Sequence, residues 1–168
     1  MLPIVLDPSE IRAGLAGAGE GLARREATLR ASGVLPEAVP VDAAPDDLEG
    51  LKVLFVAGLD AAASTRLAKI ARAAGVLVNV EDMPALCDFH VPASVRRGDL
   101  LVTVSTGGKA PGFSKLFREW IERQLGEHWE LQIETIADER RKWRRSGLSL
   151  SQVSERTRAY VREHGLLP

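Results

Sequence analysis

Two glycine turns and one carboxylate carry the chemistry legible in this chain. Asp82 closes the run Val78-Asn79-Val80-Glu81-Asp82, where an apolar stretch gives way to Met83-Pro84. A carboxylate at the C-terminal end of a parallel strand lies where open α/β sheets gather their ligands. There it can act as a general base or orient a cationic nitrogen. The same residue also reads as a solvated Asp capping a turn. Further on, Ser105-Thr106-Gly107-Gly108-Lys109-Ala110-Pro111 forms a glycine turn ahead of a helix. Its free N–H groups, its hydroxyls and Lys109 favour an anionic partner such as a carboxylate. The spacing and the missing terminal Lys-Ser/Thr pair exclude a phosphate-binding P-loop. A plain connecting loop is the alternative.

The other glycine cluster, Gly14 to Gly21, precedes a helix, where a dinucleotide fold keeps its phosphate-binding turn. Gly17 and Gly19 occupy the tight-turn and close-approach positions, with Glu20 and Gly21 opening the helix. The third small position falls on Leu22, a large side chain for close helix–strand packing. Asp42 is the acidic residue placed to hold an adenosine ribose. The preceding segment Ile11–Ala16 is a poor strand, with glycine inside it and Arg12 where a central strand rarely carries charge. A flexible Ala/Gly-rich turn without ligand fits the same residues.

Other candidates are weaker. His90 lacks a second metal ligand at short spacing and reads as a packed or surface histidine. Cys87 reads as a small buried residue, since no flanking cation or base lowers its pKa. The run Asp138–Arg145 is locally basic around Trp143; a solvated helix face is its default reading, and pairing with carboxylates its functional one.

These residues need elements to hold them. Glu20–Ala31 reads as a helix stopped by Gly33, and Ala38–Val41 as a short strand. Lys52–Ala57 is an apolar run suited to a strand buried on both faces. Asp60 caps a helix over Ala61–Ala74 that Gly75 terminates, and Val76–Val80 is the next strand. Strand, helix and strand across Lys52–Val80 make a βαβ unit, hence a right-handed crossover and a parallel sheet. Leu100–Ser105 is a further strand. Pro111 opens a helix with apolar Phe113, Leu116, Phe117, Trp120, Ile121 and Leu125 at helical spacing. From Glu127 to the end, two or three helices break near Ser146-Gly147.

Bulk composition narrows the classes. The chain has 168 residues, 45% hydrophobic and 27% charged, with net charge −1 and one cysteine. That balance offers no global field for nucleic acid or an anionic membrane, and no apolar run nears the roughly 20 residues that span a bilayer. The Met1-Leu2-Pro3-Ile4 start lacks the basic and apolar regions of a secretory signal, and a lone cysteine suits a reducing compartment. The expectation is a cytoplasmic protein without nucleic-acid or membrane partners.

Three motifs in order, Asn79–Asp82 (NVxD), Asp88–Ala93 (xFxxPA) and Ser105–Pro111 (STGGKxP), give the stretch from Val78 to Glu122 a family likeness. It resembles precorrin-2 dehydrogenase / sirohydrochlorin ferrochelatase, the N-terminal module of siroheme synthase. Leu2–Asp7 and Gly17–Arg25 are similar to that family's opening and its glycine turn. The resemblance implies an α/β fold: an abbreviated Rossmann-like parallel sheet domain (residues 1–93), a dimerisation segment (94–126) and a small helical C-terminal region (127–168). It implies a homodimer that oxidises precorrin-2 to sirohydrochlorin with NAD, with Fe²⁺ insertion as a second activity of some members. Asp82 would be catalytic. Gly17, Gly19, Glu20, Gly21 and Asp42 would hold NAD. Asn79, Thr106, Gly107, Gly108 and Lys109 would meet the tetrapyrrole.

Departures from the family pattern concentrate in the cofactor half. If Ala38–Val41 is the family's third strand, the second, which carries the adenosine end, is missing. Gly58-Leu59 replaces the family's Thr-Asp. Together with Leu22 and the poor first strand, these leave two alternatives open: a chelatase that has lost NAD-dependent oxidation, or a non-catalytic tetrapyrrole-binding protein.

Overall fold

The computed structural model describes residues 2–167; Met1 and Pro168, and so the first residue of the opening read above, lie outside it. The chain divides into two compact units, Met1–Val91 and Pro92–Pro168.

The first unit begins with β1 (Ala13–Gly17), α1 (Gly19–Ala31) and β2 (Glu37–Ala38). After a 3₁₀ turn at Pro45–Leu48 come β3 (Val53–Ala57), α2 (Ala61–Ala73) and β4 (Leu77–Val80). All pairings are parallel, in the order β2-β1-β3-β4. The expected βαβ unit is β3-α2-β4, and the Asp60 carboxylate caps α2 by accepting from Ala63 N at 2.8 Å.

Side chains alternate across a strand, so β3 feeds two cores. Val53 and Phe55 join Ala13, Leu15 and Leu29 on the α1 side. Leu54 and Val56 join Leu67, Ala68, Ala71, Val78 and Val80 on the α2 side.

Two sequence expectations change here. The segment judged a poor strand is β1, in the middle of the sheet. Arg12 sits just before it, exposed and paired with Glu37 at 2.7 Å. Gly14 has a tertiary purpose: a Cβ there would lie 2.6 Å from Leu51 Cδ1 and 2.9 Å from Val39 Cγ2. The short strand after α1 takes the position beside β1, with Val39 N extending the ladder to Leu15 O at 2.9 Å. The strand next to β1 is therefore present but brief. No further strand follows it in the described sheet; the chain instead packs Ala43, Leu48 and Leu51 into the α2-side core.

The second unit opens with an antiparallel hairpin, β5 (Ala93–Arg97) and β6 (Leu100–Val104), turning at Gly98-Asp99 with Gly98 at φ +55°. The sequence reading contained β6 and missed β5. α3 (Pro111–Gln124), α4 (His128–Arg145) and α5 (Leu150–Glu163) complete the unit. Arg97 caps the end of α3, donating to Leu125 O at 2.9 Å and Glu122 O at 3.2 Å. The Ser149 side chain caps α5. No described helix is long and apolar enough to cross a membrane.

Candidate active site

The turn from β1 into α1 is shaped by backbone contacts that no side chain would allow. A Cβ on Gly17 would lie 2.1 Å from Ala57 O, and Ala18 N donates to that same oxygen at 3.2 Å. Gly19 has φ +59° and open space where a side chain would stand. Ala18, at the N-cap position, provides no side-chain cap, and Leu22 N is the first amide to reach back, to Ala18 O at 3.3 Å. The amides of Gly19, Glu20 and Gly21 thus have no partner among the described residues. An uncapped helix N-terminus beside an open glycine fits the pyrophosphate of a dinucleotide.

The small position expected at Leu22 is supplied by Gly21. A Cβ on Gly21 would come within 2.9 Å of both N and Cα of Gly58. Gly58, at φ +69°, likewise has no room: its Cβ would fall 2.1 Å from Ala18 O. Leu22 turns aside into the α1-side core. The glycine read as a departure after the fourth family strand is therefore what lets α1 dock. Asp42 lies four residues beyond β2, exposed in a turn. Arg66 of α2 holds that turn, donating to the carbonyls of Val41 and Ala43.

Asp82 stands two residues beyond the end of β4. Met83 N bonds to Val80 O at 3.4 Å, making a tight turn with Glu81 and Asp82 at its apex. Asp82 has φ +58°, and among the described residues it alone, glycines apart, has a positive φ. The left-handed conformation costs a non-glycine residue roughly 1 kcal/mol, and such strain concentrates at functional sites. Its carboxylate is exposed and has no hydrogen-bond partner among the described residues.

The chain after Asp82 folds back to hold this turn. Asp88 lines the free edge of β4, its N donating to Val78 O at 2.8 Å and its Oδ2 accepting from Val78 N at 2.9 Å. Arg72 of α2 donates to Asp88 Oδ1 and to Leu86 O, each at 2.9 Å. The Cys87 sulfur lies 3.2 Å from both N and O of Val80. Asn79, expected to meet a ligand, is only 5% exposed and donates to Phe89 O at 2.9 Å, with its Oδ1 buried and unpaired. In this structure Asn79 anchors the segment that carries Asp82.

Glu81 joins the two features. Its carboxylate pairs with Arg24 of α1 at 3.3 Å, and its Oε2 is 2.9 Å from where a Gly21 Cβ would stand. The glycine turn and the Asp82 turn therefore share one end of the sheet. The roles of Glu81, Gly58, Arg72, Asp88 and Arg66 were not read from sequence, because each acts through a partner distant along the chain.

In the second unit, Thr106 is drawn into the start of α3. Its hydroxyl accepts from Ala110 N at 3.1 Å and lies 3.1 Å from Ser114 Oγ, itself 8% exposed. Gly107 and Gly108 have φ +66° and +78°. Lys109 is exposed, and the turn contains no acidic residue. This is a helix start with a cation beside it, suited to an anion. No cluster of three His, Cys, Asp or Glu side chains among the described residues is arranged to hold a metal.

The chain is similar to known proteins along both of its units. Residues 4–93 match a family described as "Putative NAD(P)-binding", and residues 97–124 match one described as "Sirohaem biosynthesis protein central". A siroheme synthase of Thiobacillus denitrificans is 34% identical over 141 residues, covering 72% of this chain and 29% of that protein. One from Methylococcus capsulatus is 37% identical over 100 residues, 60% of this chain and 21% of its own. The chain thus spans less than a third of these relatives. Among solved structures, "SirC, precorrin-2 dehydrogenase" superposes with TM-score 0.74 at 20% identity, covering 96% of this chain and 89% of that one, a likeness of fold.

Proposed function

The chain belongs to the NAD(P)-binding family that its residues 4–93 match, and on that premise we propose that it oxidises precorrin-2 to sirohydrochlorin with NAD. The observation that carries the reading is the uncapped, glycine-lined start of α1 beside the exposed Asp82 at one end of the sheet. Gly17, Gly19, Glu20 and Gly21 would hold the pyrophosphate through backbone amides, and Asp42 the adenosine ribose.

Bound NAD supplies the hydride acceptor. Oxidation removes one hydride and one proton from the substrate, and the chain's part is the proton. The Asp82 carboxylate is free of internal partners and so available to take it. Asp88, Arg72 and Asn79 fix the turn from which it projects. The same free carboxylate suits removal of pyrrole protons, so insertion of Fe²⁺, as a substrate metal, is carried as a second activity. The Thr106–Lys109 turn would receive a carboxylate of the tetrapyrrole.

We assign homodimer formation to α3. Phe113, Leu116, Phe117 and Trp120 are 57%, 65%, 40% and 49% exposed, with the three aromatic rings stacked in series. So large an apolar strip favours burial against a second copy.

Calorimetric titration with NAD tests the cofactor half. Saturable binding, weakened when Gly19 is replaced by Val, supports oxidation. A folded dimer that takes up no NAD would leave only chelation or carriage.

A further inference from the structure

A groove of about 570 Å³ runs along α4 in the second unit. Ile133, Ile136 and Ala137 line it together with the side chains of Arg140, Arg141, Arg144 and Arg145, whose apolar stems supply much of the surface. Positions 133, 136, 137, 140 and 144 follow the helical repeat, so the apolar patch and two of the arginines lie on one stripe, with Arg141 and Arg145 along its edge. Trp143 is not part of the lining.

The guanidinium groups keep donors to spare. Arg144 gives one N–H to Leu148 O at 2.9 Å and Arg140 one to Thr157 Oγ1 at 3.4 Å. Arg141 pairs with Asp138, and Arg145 has no partner among the described residues. Each guanidinium has five N–H groups in a fork that matches a carboxylate. Four such groups on one side of an apolar patch suit a ligand with an apolar body and anionic groups along one edge.

We propose that the α4 groove binds a flat polycarboxylate: the ring of a tetrapyrrole lies over Ile133 and Ile136, and its acid arms pair with Arg140, Arg141, Arg144 and Arg145. The inference rests on the tetrapyrrole reading above and adds a binding site to it. The dimensions favour a small molecule over a polymer, because Arg140 to Arg145 spans about 7.5 Å of helix. The groove has no aromatic ring on which a base would stack.

The test is fluorescence titration of the full chain with uroporphyrin, an octacarboxylate. Parallel titrations use a tetracarboxylate and a dicarboxylate porphyrin. In the unaltered protein, affinity should rise with carboxylate number and fall with added salt. Equal affinity across the series overturns the proposal without any variant. Arg140→Gln/Arg144→Gln and Arg141→Gln/Arg145→Gln should each weaken uroporphyrin binding by about tenfold or more. Removing two cations from the first unit, Arg30→Gln/Lys69→Gln, should leave it unchanged. Unchanged affinity in both folded double variants overturns the proposal, as does a shift in sedimentation with no change in porphyrin binding, which would give the groove to a second copy. Precorrin-2 oxidation is read separately: porphyrin bound at the groove without turnover defeats the reaction and leaves this site standing.

Discussion

Gly21 and Gly58 meet where α1 docks on the end of β3, so closely that a Cβ on Gly21 would stand 2.9 Å from the Gly58 backbone nitrogen. Each tolerates the other only because neither has a side chain. Gly58→Ala places a methyl 2.1 Å from Ala18 O and forces a left-handed alanine, so it should cost about 2 kcal/mol or more. Chemical denaturation measures this, and NAD affinity should fall with it. An unchanged denaturation midpoint would mean that α1 does not sit on Gly58.

Asp82 presents the reverse case, a side chain kept where glycine is easier. Asp82→Gly should raise stability by up to about 1 kcal/mol, and Asp82→Asn should change it little, since Asn tolerates the left-handed region. Both should lower turnover by about 100-fold or more while NAD still binds. Loss of stability in Asp82→Gly would show that the aspartate is held by contacts rather than strained.

Asp88 gives β4 the partner that a missing neighbour strand would have given. Asp88→Ala leaves Val78 N and Arg72 Nε without their acceptors, while Arg72 keeps Leu86 O, and should cost about 1–3 kcal/mol. Amide exchange should quicken from Val80 to Phe89 and stay slow in β3. Uniform quickening across the first unit would contradict a local clamp.

The Arg12–Glu37 pair ties the approach to β1 to the strand beside it. The hydrogen bond from Arg12 holds the Glu37 carboxyl below its ordinary range. A folded-state pKa lowered in this way adds stability above the unfolded-state value, and that stability is lost as pH falls through the folded one. The gap in stability between the unaltered protein and Glu37→Gln should be steady near neutrality and close in acid. A gap that widens in acid would reverse the sign. Both groups are exposed, so the effect should be small and weaken with salt.

The sequence shows best what depends on neighbours along the chain. The β3-α2-β4 unit was legible because an unbroken apolar run, an Asp60 cap and a Gly75 stop are local signals. The NVxD, xFxxPA and STGG motifs made Asp82 and the Thr106 turn legible as candidates. The purpose of Gly14 is to admit Leu51 and Val39, and that of Gly58 is to admit Ala18 and Gly21; neither can be seen in a window around the glycine. The β5 strand was missed although Gly98-Asp99 is a hairpin signal, because Arg96-Arg97 reads as surface and Val95 alone in β5 is buried. Asn79 was read as facing a ligand. Its inward hydrogen bond to Phe89 depends on the fold-back of residues 81–89, which no spacing announces.

The most direct test is anaerobic incubation of the purified protein with precorrin-2 and NAD, following reduced nicotinamide and the sirohydrochlorin spectrum together. The expected result is one reduced nicotinamide per sirohydrochlorin with the unaltered chain, and almost none with a folded Asp82→Asn that still binds NAD. A folded protein that leaves both precorrin-2 and NAD unchanged, or an Asp82→Asn variant as fast as the unaltered chain, would contradict it.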